Sequence, residues 1–425
     1  MIAPARRAAV DALRQIDEGT LDMGAAIARV RATLHDERDG ALLLELVTGT
    51  SRMRAAIDHQ LAMRVKRPLA RLDAAVLCIL RVSAFQLIYM SRLPASAVIN
   101  DAVELTRRAG KSSAAGLSNA VLRAVARDRD RLEWPSRESL IDYLSVVQSH
   151  PRWLVERWIA RYGAEQAESW LIFNNQPAAM CLAVNRRLLT REALAEELAS
   201  DGVTTSPTTR AAHGLTVTDG RALGTRAFTE GRFVVQDEAS QLIGELAAAV
   251  GGATLLDLCA SPGGKTLAIS AAKGLVIASD VRAPRVRLLK KTLERCRVTN
   301  ARVVHVSADG PLPFRDGTFD LVLIDAPCSG LGTVRRDPDI KWRRTPDDLP
   351  RFATAQRELL ERAAGLVKRG GSLIYSTCSS EPDENEDVVS GFLSNRPDFA
   401  QTKVHQTLPF RDRLEAFFAT VLVRP

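Results

Sequence analysis

Two cysteines stand in motifs that close apolar runs: Cys328 in DAPCSGLGTVRRDPDIKW (Asp325 to Trp342) and Cys378 in YSTCSSEPDENED (Tyr375 to Asp387). If both runs are strands of one parallel sheet, both thiols reach the same edge. A lone strand-end cysteine is usually inert packing. Two of them beside a carboxylate, Asp325, on loops facing a ligand, read as reactive groups, because a thiolate is a strong nucleophile for covalent catalysis. Zinc does not fit two thiols with no paired histidine and no short ligand spacing, so no metal is expected. Arg335, Arg336 and Lys341 flank the first loop and are expected to contact phosphates.

A third segment, LLDLCASPGGKT (Leu255 to Thr266), runs from apolar strand through a glycine turn into a helix. Gly263 and Gly264 would let a ligand approach the backbone at the carboxyl end of the strand. Gly-Lys-Thr invites a phosphate-loop reading, but that motif needs a glycine five positions before Gly264, where Cys259 stands. The Gly-x-Gly-x-x-Gly spacing of nicotinamide enzymes is absent too. One strand later, Asp280 ends Ile277-Ala278-Ser279-Asp280, where a carboxylate can accept hydrogen bonds from ribose hydroxyls, and Asp309 follows the third strand in the same way. Acids and a glycine loop at successive strand ends favour an adenosine-containing ligand over independent helix caps.

These residues need a frame to hold them. From Gly231 onward strands alternate with helices, which predicts a parallel, doubly wound α/β sheet with strands near 254–258, 275–279, 302–306, 320–324, 372–375 and 417–423. Before it, residues 137–230 read as a small α+β connector, with a strand at 179–185 and a helix at 190–200 capped by Thr190, then β-prone pieces at 215–218 and 232–235. Trp134-Pro135-Ser136 separates this from residues 1–133, which are helical throughout, with apolar residues three and four apart. The expected domains are therefore 1–133, 137–230 and 231–425.

Composition narrows the class. Hydrophobic residues are 46% and charged residues 25% of 425, which excludes a mainly disordered chain. The net charge is +8, and residues 1–133 hold 21 basic against 15 acidic side chains, so a polyanion is a plausible partner of the helical front. No apolar run reaches a membrane span or a signal peptide, and six scattered cysteines do not make a disulfide framework; a cytoplasmic monomer is expected.

The motifs DLCASPGGKT, ASD, DAPCSG with RRDPDIKW, and STCSSEPDENED resemble the Sun family of RNA cytosine-5 methyltransferases. Ser96 to Arg108 and Gly116 to Arg127 resemble the antitermination factor NusB, which implies a helical RNA-binding module in front. The resemblance implies a Rossmann-like class I methyltransferase domain with a mostly parallel seven-stranded sheet, S-adenosylmethionine as cofactor, and small-subunit (16S) ribosomal RNA as partner. It also implies a cofactor pocket of Leu258, Cys259, Ala260, Ser261, Pro262, Gly263, Gly264 and Lys265 with Asp280, Asp309 and Asp325. Cys378 is then the nucleophile and Cys328 assists release, although related DNA enzymes attack from a Pro-Cys motif and the residues alone leave the order open. Asp325 would bond the cytosine's ring nitrogen and amine, and Lys265 would orient Asp325 or contact cofactor or RNA. Transfer RNA as substrate and a non-catalytic NusB-like scaffold are the competing readings. Two departures stand out: Ser261 where alanine is common, and Glu415-Ala416-Phe417-Phe418 without the usual glycine, which puts the last hairpin's shape in question.

Overall fold

The computed structural model describes residues 2–425 apart from positions 92 and 273. The chain divides into two compact units, residues 1–176 with 334–344, and residues 177–333 with 345–425.

The first unit is helical. Seven α-helices occupy Pro4–Asp17, Met23–Arg31, Glu37–Arg52, Arg54–Ala62, Ala74–Tyr89, Ala95–Arg108 and Ala115–Arg127 among the described residues. Asp22, Asp36 and Asp73 cap three of them by accepting from backbone N–H groups of the first turn. Their apolar stripes meet in one core that includes Leu43, Leu46, Ile57, Leu80 and Leu122. Arg81 is held inside this bundle by a two-pronged pair with Asp58, at 2.8 and 2.7 Å. Three further helices, Leu140–Val147, Arg152–Tyr162 and Ala164–Asn175, follow.

Residues 334–344 pack within this same unit, and here one expectation is corrected. Lys341 is fully buried, its Nζ donates to the Arg52 carbonyl at 3.0 Å, and burial pushes its pKa well below the ordinary lysine range. Trp342 donates its indole N–H to the Ser51 carbonyl at 2.6 Å. Lys341 is thus a packing residue and cannot contact phosphate. The Arg335 guanidinium lies 4.1 Å from the centroid of the Phe173 ring, a cation–π contact within the unit.

The second unit holds two sheets. Strands β1 (Cys181–Val184), β2 (Thr204–Pro207), β3 (Gly214–Asp219) and β4 (Phe233–Val235) form an antiparallel sheet in the order β2-β3-β1-β4. The helix Arg191–Ser200 packs on it through Leu194 and Leu198, and Thr190 caps that helix as expected. The larger sheet contains β5 (Thr254–Asp257), β6 (Leu275–Asp280), β7 (Ala301–His305), β8 (Phe319–Asp325), β9 (Val367–Thr377), β10 (Ala400–Thr407) and β11 (Phe417–Val423). Its order is β10-β11-β9-β8-β5-β6-β7, with β5 to β9 mutually parallel and β11 antiparallel to both its neighbours.

Both faces of this sheet are covered, which is why its strands read as continuous apolar runs. Leu256, Val322, Ile324 and Tyr375 pack against Leu360 and Phe392 on one side. Leu255, Leu321, Leu323 and Ile374 pack against Ile243 and Ala247 on the other. Neighbouring strand residues therefore alternate between two cores. The last hairpin forms despite the missing glycine: Phe417 pairs with Thr407 and β11 keeps its register with β9, while the pairing with β10 shifts register once, between Gln401 and Lys403.

The chain runs from β5 outward to β6 and β7, then returns to place β8 on the opposite side of β5. That reversal splays the connections apart beyond the carboxyl ends of β5 and β8, where open α/β sheets bind their ligands.

Candidate active site

The turn after β5 is fixed from both sides. Leu258 N–H donates to the Leu323 carbonyl and Ala260 N–H to the Ser279 carbonyl, both at 2.9 Å, so the turn is tied to β8 and β6. Gly263 has φ +112°, a conformation L side chains rarely adopt, and a Cβ on Gly264 would meet the Gln236 side chain at 2.7 Å. The helix Gly264–Ser270 then places Lys265 and Thr266 toward the sheet. Asp280, at the tip of β6, accepts from Arg282 N–H at 3.1 Å, and Arg285 bonds the Ser261 carbonyl at 3.1 Å. Asp309 stands in an exposed turn beyond β7, where its N–H donates to Ser307 Oγ at 3.3 Å.

Asp325 ends β8, and Lys265 reaches it from the turn after β5. Lys265 Nζ donates to Asp325 Oδ2 at 2.6 Å and to Ser240 Oγ at 3.0 Å, while Ser376 Oγ donates to Asp325 Oδ1 at 3.2 Å. Burial opposes the ammonium charge, but Asp325, Asp257 and Cys378 together outweigh it and the Lys265 pKa is raised. Lys265 is 9% exposed and Asp325 31%, so one end of the pair faces solvent and the other does not.

Asp257, one residue before Leu258, is fully buried, and sequence reasoning passed over it. Its Oδ2 accepts from Thr266 Oγ1 at 2.7 Å, whereas Oδ1 has no hydrogen-bond partner. Burial pushes its carboxyl up to about 7. An acid inside Leu-Leu-Asp-Leu was the available signal. Ser240 and Ser376 were also missed, and ordinary serines in a helix and a strand gave none.

The two thiols meet across neighbouring loops. Cys328 Sγ and Cys378 Sγ are 3.2 Å apart, and both residues are half-buried. Gly332 N–H donates to the Cys378 carbonyl at 3.0 Å, and a Cβ on Gly332 would lie 2.0 Å from the Ala416 carbonyl oxygen, so only glycine permits this approach. The hydrogen bond to Cys378, then burial, then the charges of Cys378 and Glu384 hold the Cys328 thiol well above its ordinary value. Burial likewise pushes up Cys259, helped by the carboxylates of Asp325, Asp257 and Asp280. Cys259 thus stays a protonated thiol in the turn, and Cys78, Cys181 and Cys296 are buried packing residues.

The structure therefore brings Lys265, Asp325, Cys328 and Cys378 together at the crevice, beside the 258–264 turn and Asp280. A doubly wound sheet with a glycine turn at its switch point and two facing thiols defines a Rossmann-like methyltransferase-type domain. Known proteins place it further. Residues 246–420 match the family described as 16S rRNA methyltransferase RsmB/F, residues 3–127 match the NusB family, and residues 150–223 match the ferredoxin-like domain of RsmF/B-like methyltransferases. The probable ribosomal RNA small subunit methyltransferase B of Bacillus subtilis is 35% identical, over 86% of this chain and 82% of its own. Ribosomal RNA small subunit methyltransferase B of Pseudomonas putida is also 35% identical, over 92% and 89%. The crystal structure of PH0851 superposes with a TM-score of 0.84 at 25% identity, covering 100% of this chain and 99% of that one. The chain belongs to the 16S rRNA methyltransferase RsmB/F family, with a NusB-type helical domain and a ferredoxin-like connector ahead of its Rossmann-like domain.

Proposed function

We propose that this protein methylates carbon 5 of a cytosine in small-subunit ribosomal RNA through a transient Cys378 adduct. The observation that carries the reading is the 3.2 Å approach of Cys328 and Cys378 beside the Lys265–Asp325 pair. Carbon 5 is too weak a nucleophile to take a methyl group unaided. Addition of a thiolate at carbon 6 breaks the 5,6 double bond and makes an enamine that pushes electrons onto carbon 5. After transfer, a base removes the carbon 5 hydrogen, the double bond re-forms and the carbon–sulfur bond breaks.

The crevice has features that fit S-adenosylmethionine. The turn follows a path with φ +112° at Gly263 beside Asp280, whose carboxylate stands where ribose hydroxyls can be held, and the orphaned, buried Oδ1 of Asp257, protonated below about pH 7, is a donor behind the turn. When bound, the sulfonium supplies an electrophilic methyl group. The RNA assignment follows the names of the relatives, and carbon 6 is shielded in a stacked duplex, so the base must be single-stranded or flipped.

The electrostatics support different work for the two thiols. Cys328 is held protonated chiefly by its hydrogen bond to Cys378. Once Cys378 sulfur is bonded to carbon, that constraint and the thiolate charge are gone, and the Cys328 pKa falls. Cys328 can therefore give up its proton only after the adduct forms, so its thiolate becomes available when a base is needed. Asp325, oriented by Lys265 and Ser376, accepts from the cytosine's amine, and from its ring nitrogen once that nitrogen takes up the proton given up by the Cys378 thiol, so that charge on the attacked ring is neutralised.

Two substitutions test this. Cys378→Ala should abolish methylation of a transcript and leave no covalent species. Cys328→Ala should leave protein trapped on RNA as a denaturant-stable band. The reverse pattern would exchange the roles, and no adduct from either would overturn covalent catalysis. Bisulfite sequencing of RNA from a deletion strain identifies the base.

A further inference from the structure

Behind the two thiols lies a carboxylate that touches neither. Glu384 closes a single turn, Pro382–Glu384, and is wholly buried. Its Oε1 accepts from Ser329 N–H at 2.8 Å and from Gln356 Nε2 at 3.0 Å. Its Oε2 accepts from Ser329 Oγ and Ser379 Oγ, each at 2.5 Å. Ser329 follows Cys328 and Ser379 follows Cys378, so one side chain grips the residue next to each thiol. The two hydroxyls also meet each other at 3.2 Å, and Ser329 Oγ accepts from Leu331 N–H at 3.4 Å and Ser379 Oγ from Glu381 N–H at 3.1 Å. Gln356 also donates to the Pro327 carbonyl at 2.9 Å, and Tyr375 OH bonds the Glu384 carbonyl at 2.5 Å, fastening the carboxylate itself.

We propose that Glu384 is a positioning residue that locks the Cys328 and Cys378 loops at their reactive separation by taking hydrogen bonds from Ser329 and Ser379; as a statement about catalysis, this rests on the two-cysteine reading above. A carboxylate suits the task because it only accepts, and four donors converge on it. An amide in its place must turn its NH2 toward either the Ser329 and Gln356 N–H groups or the two hydroxyls, and two of the four bonds are lost or reversed. Displacements of tenths of an ångström between reacting groups carry large rate costs, so the effect should fall on turnover and leave RNA binding intact.

The test reads loop geometry separately from methylation. Full-length protein without cofactor is treated with diamide, whose azo group takes up the two electrons and two protons released as Cys328 and Cys378 join in a disulfide. Mass mapping of the linked peptides gives the rate. Glu384→Gln should slow this disulfide at least tenfold, and should lower kcat for methyl transfer about a hundredfold with KM for RNA changed less than threefold. Wild-type rates of both in a folded Glu384→Gln protein would overturn the proposal. If that variant does not fold, the Ser329→Ala/Ser379→Ala double variant removes the same two hydroxyl donors and should show the same slowing; a wild-type disulfide rate there would equally overturn it. Slowed disulfide formation in a protein whose wild type never methylates RNA would support the lock and remove the methyltransferase reading. An unchanged disulfide rate beside normal wild-type methylation would remove the lock alone.

Discussion

Replacing Lys265 by Met keeps the length and apolar stem of the side chain and deletes its charge. At the 2.6 Å separation from Asp325, and with an effective dielectric near 20, the attraction removed is at most about 6 kcal/mol. Much of that is offset in the native protein by the desolvation of the buried ammonium, which the substitution also relieves. Breaking a fully buried pair typically costs about 3 to 5 kcal/mol, but Asp325 is 31% exposed and water can take over part of the lost contact. What remains is about 1 to 3 kcal/mol, concentrated on the orientation of Asp325, now held by Ser376 alone of its two side-chain donors. If that orientation matters only as charge develops on the ring, the loss appears as about a 5- to 150-fold lower single-turnover rate. The assay is transfer of labelled methyl to a target transcript at saturating S-adenosylmethionine, with calorimetric cofactor affinity as the control for an intact turn. A rate within threefold of wild type, with affinity unchanged, would refute the role given to this pair.

Asp257 links the site to pH. With its carboxyl near 7 in the folded chain and 3.8 as the ordinary value, the native state keeps a proton that the unfolded chain has released. Stability therefore falls as pH rises from about 4 through about 7 and levels off above, by at most about 4 kcal/mol. Asp257→Asn should flatten that slope, read as hydrogen-exchange protection of the 254–258 strand at pH 5 and pH 8; an unchanged slope would remove the assignment. Gly332→Ala forces a Cβ to 2.0 Å from the Ala416 carbonyl and 2.8 Å from that of Cys378. Overpacking costs about 1 to 3 kcal/mol, so the thermal midpoint should fall and methyl transfer drop more than tenfold; wild-type turnover would show that the loop spacing is not critical.

Sequence pattern reveals what is periodic and buried. The strands on which the chemistry depends were legible because residues such as Leu321 to Ile324 are covered on both faces and leave unbroken apolar runs. β10 was not, because Ala400–Thr407 is an edge strand with mostly exposed polar residues and has no alternation to read. β2, Thr204–Pro207, escaped for the same reason. The cysteines, Asp325 and the glycine turn were visible as residue types out of place in a core. Lys341 misled because charge on paper says nothing of burial, and Glu384 was hidden in an acidic run where Glu381 and Glu384 fold inward and Asp383 between them is only half-buried.

The order of strands explains why cofactor and base residues come from separate segments. β5 and β6 carry the 258–264 turn and Asp280, while β8 and β9 carry Asp325, Cys328 and Cys378. The reversal between β5 and β8 puts one set on each side of a single crevice. Lys265 belongs to the first side and Asp325 to the second, so their bond crosses the gap and ties the two directly. On the proposed reading, a methyl donor on the β5 side and a cytosine on the β8 side are brought together over that ion pair. Asp325 is then fully aligned only while the β5 turn holds Lys265 in place beside Ser376. Distortion of the turn at Gly263 or Gly264 should consequently weaken attack on the base as well as cofactor binding, whereas changes at Ser329 or Ser379 should weaken attack alone.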